Sequence, residues 1–144
     1  MSPGSTPDPS QAFLDEDTAL PDVLVAEDDG TVIGYLRLNQ PGPLPSHAHV
    51  LVINGLAVAP AHQGKGVGRQ LLTAAMEQAQ RRGARKLSLR VLAPNAPARR
   101  LYEDFGFVVE GVSTKEFLLN GRYVDDVFMA CDVRRRELPP VGPD

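Results

Sequence analysis

Hydrophobic and polar positions along the chain predict strands at both ends and two helices between them. Two short apolar runs, 23–26 and 31–36, flank a turn signal at 28–30 with the sequence Asp-Asp-Gly, which is typical of a β-hairpin. A longer apolar run from Val50 to Val58 predicts a third strand, and Pro60 prevents its continuation inside a sheet.

Two segments have the period of an amphipathic helix. The first follows a glycine-rich stretch and ends before Gly83, a residue suited to a helix C-terminus. The second begins at Asn95, a good N-cap, and ends at Gly106. The apolar positions are Leu71, Leu72, Ala75, Met76 and Ala79 in the first helix and Ala98, Leu101, Tyr102 and Phe105 in the second.

Further strands are predicted between and after these helices. Residues 87–91 alternate apolar and polar side chains, which predicts a strand covered on one face. Another strand is expected at 107–112, and the segments 115–119 and 122–129 flank Asn120-Gly121, the strongest hairpin signal in the chain. Because a strand, loop, helix and strand in succession favour parallel pairing, the pattern predicts an α/β fold with a mixed sheet.

The stretch from Gln63 to Gly68 carries the most specific chemical signal. It places three glycines where a strand gives way to a helix, so unpaired N–H groups and the positive end of the helix dipole favour a phosphate. A P-loop would need Ser or Thr after Lys65, but Gly66 follows. The spacing also departs from the dinucleotide-binding fingerprint, with Arg69 at the position of its last glycine. We therefore expect a phosphate-bearing cofactor of another kind, with a ligand-free tight turn as the alternative.

Composition narrows the class of protein. The chain has 144 residues, 42% of them hydrophobic, and a net charge of -3, which suits one domain and argues against nucleic-acid binding. Cys131 is the single cysteine and is expected to be a buried, inert thiol. No apolar stretch reaches the length of a membrane span, so we expect a cytoplasmic protein without membrane contacts. We also expect a disordered lead at 1–10, one domain at 11–133 and a flexible tail at 134–144.

The chain resembles the GNAT superfamily of acyl-CoA-dependent N-acyltransferases over about residues 22–133. The family's loop motif is Gln or Arg, two residues, Gly, one residue, then Gly or Ala, and a second motif lies on a later helix. The closing hairpin at 120–127 is similar to that of members with small substrates. The matching residues are Gln63, Gly66 and Gly68 in the loop and Asn95, Ala98, Leu101, Tyr102, Gly106 and Phe107 in the second motif.

The resemblance implies a mixed, mainly antiparallel central sheet, with a V-shaped splay between its two central strands and helices on both faces. Family members usually begin with a strand and two helices that wall the acceptor site, whereas here Gln11 to Leu20 leaves room for one short helix. We therefore expect a shortened N-terminal helical part. The acceptor pocket would then be open, degraded or completed by a second subunit in a homodimer.

The resemblance also implies acetyl-CoA as the acyl donor and no metal. Main-chain N–H groups of the glycine loop would hold its pyrophosphate, and the splayed strand would pair with the amides of its pantetheine arm. The implied cofactor-binding residues are Leu56, Ala57, Val58, Gln63, Gly64, Lys65, Gly66, Val67, Gly68, Arg69, Asn95, Ala98 and Tyr102.

Tyr102 matches the tyrosine that the family places near the leaving thiolate as a general acid, because a phenol keeps its proton at neutral pH. The alternative is that Tyr102 only packs in the core. The general base is harder to identify, since Asn54 is the sole polar side chain of the strand 50–58. His49, at the entrance of that strand, is the tentative base, and a chain of water molecules is the alternative.

Asp125 and Asp126 are adjacent in a predicted strand, so their side chains face opposite sides of the sheet. We expect Asp125 to contact the acceptor amine. A salt bridge across the hairpin, with Lys115 or Arg122, is the alternative.

The function that follows is transfer of an acetyl group from acetyl-CoA to a primary amine, by direct attack in a ternary complex. A small amine or amino-acid-like acceptor is the first expectation, and a protein N-terminus or lysine is the second. The alternative from another class is a non-catalytic module that senses or binds CoA. An enzyme would release free thiol from acetyl-CoA when amines are added, whereas a non-catalytic module would not.

Overall fold

The computed structural model describes residues 22–134 of the chain. The predicted lead at 1–10, the predicted helix within 11–20 and the predicted tail beyond Arg134 lie outside these residues. The α-helices and strands in chain order are β1 (Asp22–Asp28), β2 (Thr31–Asn39), β3 (Val50–Val58), α1 (Val67–Arg81), β4 (Lys86–Leu92), α2 (Ala96–Phe105), β5 (Val108–Leu119) and β6 (Arg122–Asp132). Short 3-10 helices at Pro45–His47 and Pro60–His62 precede and follow β3.

The strands of residues 22–134 form one six-stranded sheet in the order β1-β2-β3-β4-β6-β5. The β3–β4 pair is parallel, as the intervening helix predicts, and the other four pairs are antiparallel. The prediction of a mixed, mainly antiparallel sheet is therefore confirmed. Its two central strands are β3 and β4, which precede and follow the glycine loop and α1 in the chain.

Both predicted hairpins form with two-residue turns. Asp29 and Gly30 have φ values of 52° and 81°, and Asn120 and Gly121 have φ values of 51° and 76°. Two successive positive φ angles define the type I′ turn, whose twist matches that of the flanking strands. The turn residues thus fix the register next to each turn, and β-bulges shift it further along both hairpins.

One prediction about the strands is wrong. The segments 107–112 and 115–119 are not separate strands but parts of the single strand β5. The register with β6 shifts between Ser113 and Phe117, and Lys115 has a φ of 54°. The polar residues that suggested a break therefore lie in a β-bulge, which bends the strand without ending it.

Both helices pack against the same face of the sheet and share its core. On β4, Leu87, Leu89 and Val91 belong to this core, so by alternation Arg90 and its neighbours in the pleat face the other side. The prediction of helices on both faces is therefore not seen within residues 22–134, and the short helix predicted within 11–20 lies outside the described residues. The core residues include Leu36, Leu38, Leu51, Ile53, Leu71, Leu72, Ala75, Met76, Ala79, Tyr102, Phe105, Phe107, Val127 and Met129.

Candidate functional site

The two central strands separate halfway along their length. The β3–β4 pairing covers Val50 to Ile53 on one strand and Lys86 to Leu89 on the other. Beyond Ile53, β3 pairs with β2 alone, and beyond Leu89, β4 pairs with β6 alone. The sheet therefore contains the V-shaped opening that was predicted.

Main-chain groups of β3 point into this opening. The N–H of Ala59 donates to the carbonyl of Ile33 on β2 at 2.7 Å, so by alternation Ala57 faces β2 while Leu56 and Val58 face away from it. The carbonyl of Val58 accepts a hydrogen bond from the Nε2 of Gln63 at 3.0 Å, which agrees with this direction. The backbone of Leu56 is thus placed to pair with an extended ligand.

A cavity of about 360 Å³ occupies the opening. It connects the helix-covered face with the other face, because its walls include Tyr102 from α2 and Arg90 from the opposite side of β4. Its full lining consists of Val52, Ile53, Asn54, Gly55, Leu56, Leu89, Arg90, Val91, Leu92, Asn95, Ala98 and Tyr102.

The glycine loop lies between the last residue of β3 and the start of α1. Gly64 and Gly66 have φ values of 77° and 86°, which few other residues adopt, and no atom within 4 Å would meet a Cβ at either position. The first backbone bond of the helix region runs from the N–H of Gln70 to the carbonyl of Gly66, at 3.0 Å. Within residues 22–134, the N–H groups of 64–69 have no recorded hydrogen-bond partner. They line open space at the positive end of α1, which is an arrangement suited to a phosphate.

Gln63, Val67 and Gly68 also have structural roles. The bond from Gln63 to Val58 ties the loop to β3. Val67 is 7% exposed and its side chain packs in the core, so only its main chain can face a ligand. A Cβ at Gly68 would lie 2.9 Å from the Cδ2 of Leu101, so this glycine permits the close approach of α1 and α2.

The cationic side chains of the loop are exposed, unlike Val67. Lys65 and Arg69 both reach solvent, and the guanidinium of Arg69 lies 5.7 Å from the ring centre of Phe105. This contact holds Arg69 beside the first turn of α1, where its charge adds to the attraction for an anion.

Tyr102 packs in the core and also reaches the opening, and its role as a general acid stays a prediction. Its ring packs edge-on against Phe107, with centroids 5.8 Å apart, and the residue is 7% exposed. It also lines the cavity. Burial raises the pKa of its phenol above the ordinary value of 10.0, so the group keeps its proton at neutral pH.

Asn95 and Ala98 lie at the start of α2, on the wall of the cavity. The side-chain oxygen of Asn95 accepts a hydrogen bond from the N–H of Ala98 at 3.3 Å, which is the predicted N-cap. Asn95 and Ala98, which both match the family motif, therefore stabilise the end of α2 that lies next to the opening.

The structure does not bring His49 to this site. Its carbonyl accepts hydrogen bonds from the N–H groups of Arg85 and Lys86, at 2.8 and 3.1 Å, so it lies at the closed end of the β3–β4 pair. Leu56 lies seven positions further along the strand than His49, a distance of about 23 Å. Sequence alone did not show which end of β3 opens.

Asp125 is engaged in the bulge of β5. Its Oδ1 accepts a hydrogen bond from the main-chain N–H of Lys115 at 2.9 Å. This bond stabilises the positive φ of Lys115. The alternative ion pair of Asp125 with Lys115 or Arg122 is absent from residues 22–134, and the contact with an acceptor stays a prediction.

Asp126 is the buried acid of the two, and sequence reasoning missed its partner. Asp126 is 2% exposed, and its Oδ2 accepts a hydrogen bond from the Nε–H of Arg90 at 2.6 Å. The sequence offered two separate signals: a polar residue in a strand covered on one face, and two adjacent acids in a later predicted strand. The register of β4 with β6 was needed to join them.

Two negative findings concern residues 22–134 only. No group of three or more His, Cys, Asp or Glu side chains there is arranged to hold a metal ion. None of the helices in that range has the length and apolar character needed to cross a bilayer.

Comparisons with known proteins agree with this geometry. The model of the acetyltransferase (GNAT) family matches residues 2–107. The L-methionine sulfoximine/L-methionine sulfone acetyltransferase of Salmonella typhimurium is 32% identical over 117 residues, which are 81% of this chain and 68% of that protein. The L-amino acid N-acyltransferase MnaT of Escherichia coli is 31% identical over 117 residues, 81% of this chain and 67% of the relative.

A solved structure has the same fold as this chain and a sequence identity similar to that of these relatives. The acetyltransferase YncA of Salmonella typhimurium, determined with its cofactor acetyl-CoA, superimposes with a TM-score of 0.73 and is 30% identical. The match covers 84% of this chain and 69% of that one. Because the family model spans more than half of the chain, the protein belongs to the acetyltransferase (GNAT) family and is an N-acetyltransferase that uses acetyl-CoA as its donor.

Proposed function

We propose that this protein transfers the acetyl group of acetyl-CoA to the amino group of a small amine or amino acid, by direct attack in a ternary complex. One observation carries the proposal. The N–H groups of 64–69, which have no hydrogen-bond partner within residues 22–134, lie in the connection that follows the strand whose main chain faces the opening. The names of the relatives from Salmonella typhimurium and Escherichia coli, which act on amino acids or their analogues, support the choice of acceptor.

The donor would be bound mainly by main-chain groups. The N–H groups of 64–69 would hold the pyrophosphate, with Lys65 and Arg69 adding charge from the side. The pantetheine arm would lie along β3 and pair with the backbone of Leu56 and Val58, as an added strand would. An N–H of this strand would then polarise the thioester carbonyl within the cavity.

In the chemical step the amine nitrogen attacks the thioester carbonyl carbon, and the C–S bond then breaks with its electron pair on sulfur. The phenol of Tyr102 lines the cavity and keeps its proton because burial raises its pKa. It would donate a hydrogen bond, and then the proton, to the departing sulfur, and it would regain a proton from the second N–H that the attacking nitrogen loses as the amide forms.

The attacking ammonium must first lose a proton. Among the described residues that line the cavity, the polar side chains are Asn54, Arg90, Asn95 and Tyr102, and none of these accepts a proton readily at neutral pH. We therefore infer that water carries this proton to solvent.

A thiol-release assay tests the function. The purified protein is given acetyl-CoA and a panel of amino acids, polyamines, aliphatic amines and a lysine-containing peptide. We expect release of free thiol with the small acceptors above the hydrolysis background. Binding of acetyl-CoA by calorimetry without release for any amine would instead favour a sensor, and release with the peptide alone would favour a protein acetyltransferase.

We further propose a homodimer in the cytoplasm. Support for the dimer comes from the apolar tip of the β5–β6 hairpin, where Leu118 is 60% exposed and Tyr123 is 67% exposed. Activity per subunit that rises with protein concentration would support the dimer, and cell fractionation tests the location.

The disordered lead and flexible tail remain predictions that limited proteolysis can test.

A further inference from the structure

Arg90 directly follows the last residue of β4 that pairs with β3, and it lies on the sheet face opposite α1 and α2. Its neighbours Leu89 and Val91 point into the core under α1 and α2, so alternation directs Arg90 to the other face. Asn54, in the bulge where β2 and β3 lose register, has its side chain on the same face and donates a hydrogen bond to Asn39 at 2.9 Å. The two sides of the opening thus meet on that face at Asn54 and Arg90.

Neighbouring groups hold the guanidinium of Arg90 in a fixed orientation. Its Nε–H donates to the Oδ2 of Asp126 at 2.6 Å, and an Nη2–H donates to the same oxygen. The carbon of the guanidinium also lies 5.0 Å from the ring centre of Phe128. Because the Asp126 side chain is 4% exposed, one edge of the guanidinium is anchored to a buried carboxylate.

The other edge of the guanidinium faces outward. The side chain of Arg90 is 57% exposed, and within residues 22–134 its Nη1 has no recorded partner. A guanidinium has five N–H donors in a planar fork, so one edge can bind Asp126 while the other binds a second carboxylate. Among the described residues that line the cavity, Arg90 is the only one that carries a positive charge.

We propose that Arg90 binds the carboxylate of the acceptor and so makes the enzyme selective for amino acids over amines that lack this group. The inference rests on the proposed function, because it assigns the acceptor of that reaction to a chemical class. Donor contacts occupy the helix-covered side of the opening, so the acceptor approaches from the side where Arg90 lies. A carboxylate on the outer edge of Arg90 would hold the amino group of the same molecule near the thioester.

A purely structural role is the competing explanation, in which Arg90 only neutralises Asp126. The two explanations differ in which acceptors lose activity when Arg90 is changed. A structural defect lowers transfer to every acceptor equally, whereas a lost carboxylate contact lowers transfer to acceptors that carry a carboxylate.

The experiment measures kcat/KM for L-methionine and for 3-(methylthio)propylamine, its counterpart without the carboxylate. The wild-type protein is compared with Arg90→Lys and with the double variant Arg90→Gln/Asp126→Asn, which avoids leaving a buried carboxylate unpaired. Differences in amine basicity cancel when the ratio of the two kcat/KM values is compared between proteins. Lys86→Gln is the matched control, since Lys86 lies on the same face of β4 but at the closed end, paired with Glu110 at 3.0 Å.

We expect the preference for L-methionine to fall about 10- to 100-fold in the double variant, the range for a hydrogen bond to a charged group. The loss should appear mainly in KM for the amino acid. The preference in Arg90→Lys should lie between those of the wild type and the double variant, because lysine keeps the positive charge but lacks the planar fork of N–H donors. Lys86→Gln should keep the wild-type ratio.

Equal losses for both acceptors, or a wild-type enzyme without preference for the amino acid, would overturn this inference and leave the proposed function standing. A wild-type protein that binds acetyl-CoA and transfers acetyl to neither acceptor, nor to any other amine, contradicts both. Calorimetry with acetyl-CoA and thermal unfolding confirm that each variant is folded and binds the donor.

Discussion

The two sides of the opening between β3 and β4 are built from different kinds of groups. The helix-covered side offers main-chain N–H groups from the glycine loop, the backbone of Leu56 and the small residue Ala98. The other side offers the side chains of Asn54 and Arg90, each held by a partner from a neighbouring strand. In the proposed function, donor binding depends on backbone shape, while acceptor binding depends on side chains that can change without disturbing the donor site.

Gly66→Asp should have the largest effect, on the donor side alone. The new carboxylate would stand where the pyrophosphate binds, and repulsion between like charges costs several kcal/mol, so we expect affinity for acetyl-CoA to fall about 1000-fold. Calorimetry with acetyl-CoA measures the loss, and thermal unfolding checks the fold.

Gly30→Asp is the matched control for this substitution. Gly30 has a φ of 81°, close to the 86° of Gly66, and a Cβ there would also meet no atom within 4 Å. Both variants therefore carry similar backbone strain, and only Gly66→Asp should lose the donor. Normal affinity in Gly66→Asp would remove the glycine loop from the site.

Tyr102→Phe should have the next largest effect and leaves donor binding intact. It retains the ring that packs on Phe107 and removes the hydroxyl in the cavity. We expect kcat to fall about 100-fold, the lower range for loss of a general acid, with unchanged calorimetric affinity for acetyl-CoA. Tyr123→Phe, at an exposed position, is the control, and an unchanged kcat in Tyr102→Phe would assign Tyr102 to the core alone.

The donor side could be predicted from the sequence because its determinants are local. Glycine spacing and an N-cap predicted the loop and the ends of both helices within about a residue. Helix periodicity placed Tyr102 on the buried face of α2. These signals lie within one turn or one helix, so no long-range contact was needed to interpret them.

The acceptor side could not be predicted because it depends on registers between distant strands. Arg90 and Asp126 lie 36 residues apart and meet through the pairing of β4 with β6. His49 was predicted as the base, but the extent of the β3–β4 pairing shows that it lies at the closed end. The bulge in β5 likewise depends on Asp125, ten residues from Lys115.

Gly68→Ala sharpens the comparison by separating packing from ligand binding within the glycine loop. The new methyl group would overlap Leu101, so we expect a loss of about 1–3 kcal/mol in the free energy of unfolding, as for other overpacked cores. Denaturant unfolding of Gly68→Ala, Leu101→Ala and the double variant measures the coupling. The double variant should lose less than the sum of the single losses; additive losses would show that the two residues do not interact.

Cys131→Ser should have the smallest effect, because this residue belongs to neither side of the opening. Cys131 pairs with Leu87 in the closed half of the sheet. Burial raises the pKa of its thiol from 9.0 to about 11, with Arg134 lowering it and Asp132 raising it to smaller extents. The thiol is therefore protonated at neutral pH, and a protonated thiol is a poor nucleophile.

Direct attack by the amine needs no acetylated cysteine, so kcat should be the same in Cys131→Ser and in the wild type. Because the pKa is higher in the folded state, the stabilisation from the neutral thiol is complete below pH 9.0 and is lost as the pH rises toward 11. Iodoacetamide should accordingly label the native protein more slowly than the unfolded chain at pH 8. Loss of turnover in Cys131→Ser, together with an acetyl group on Cys131 in the wild type by mass spectrometry, would replace direct attack with a covalent route.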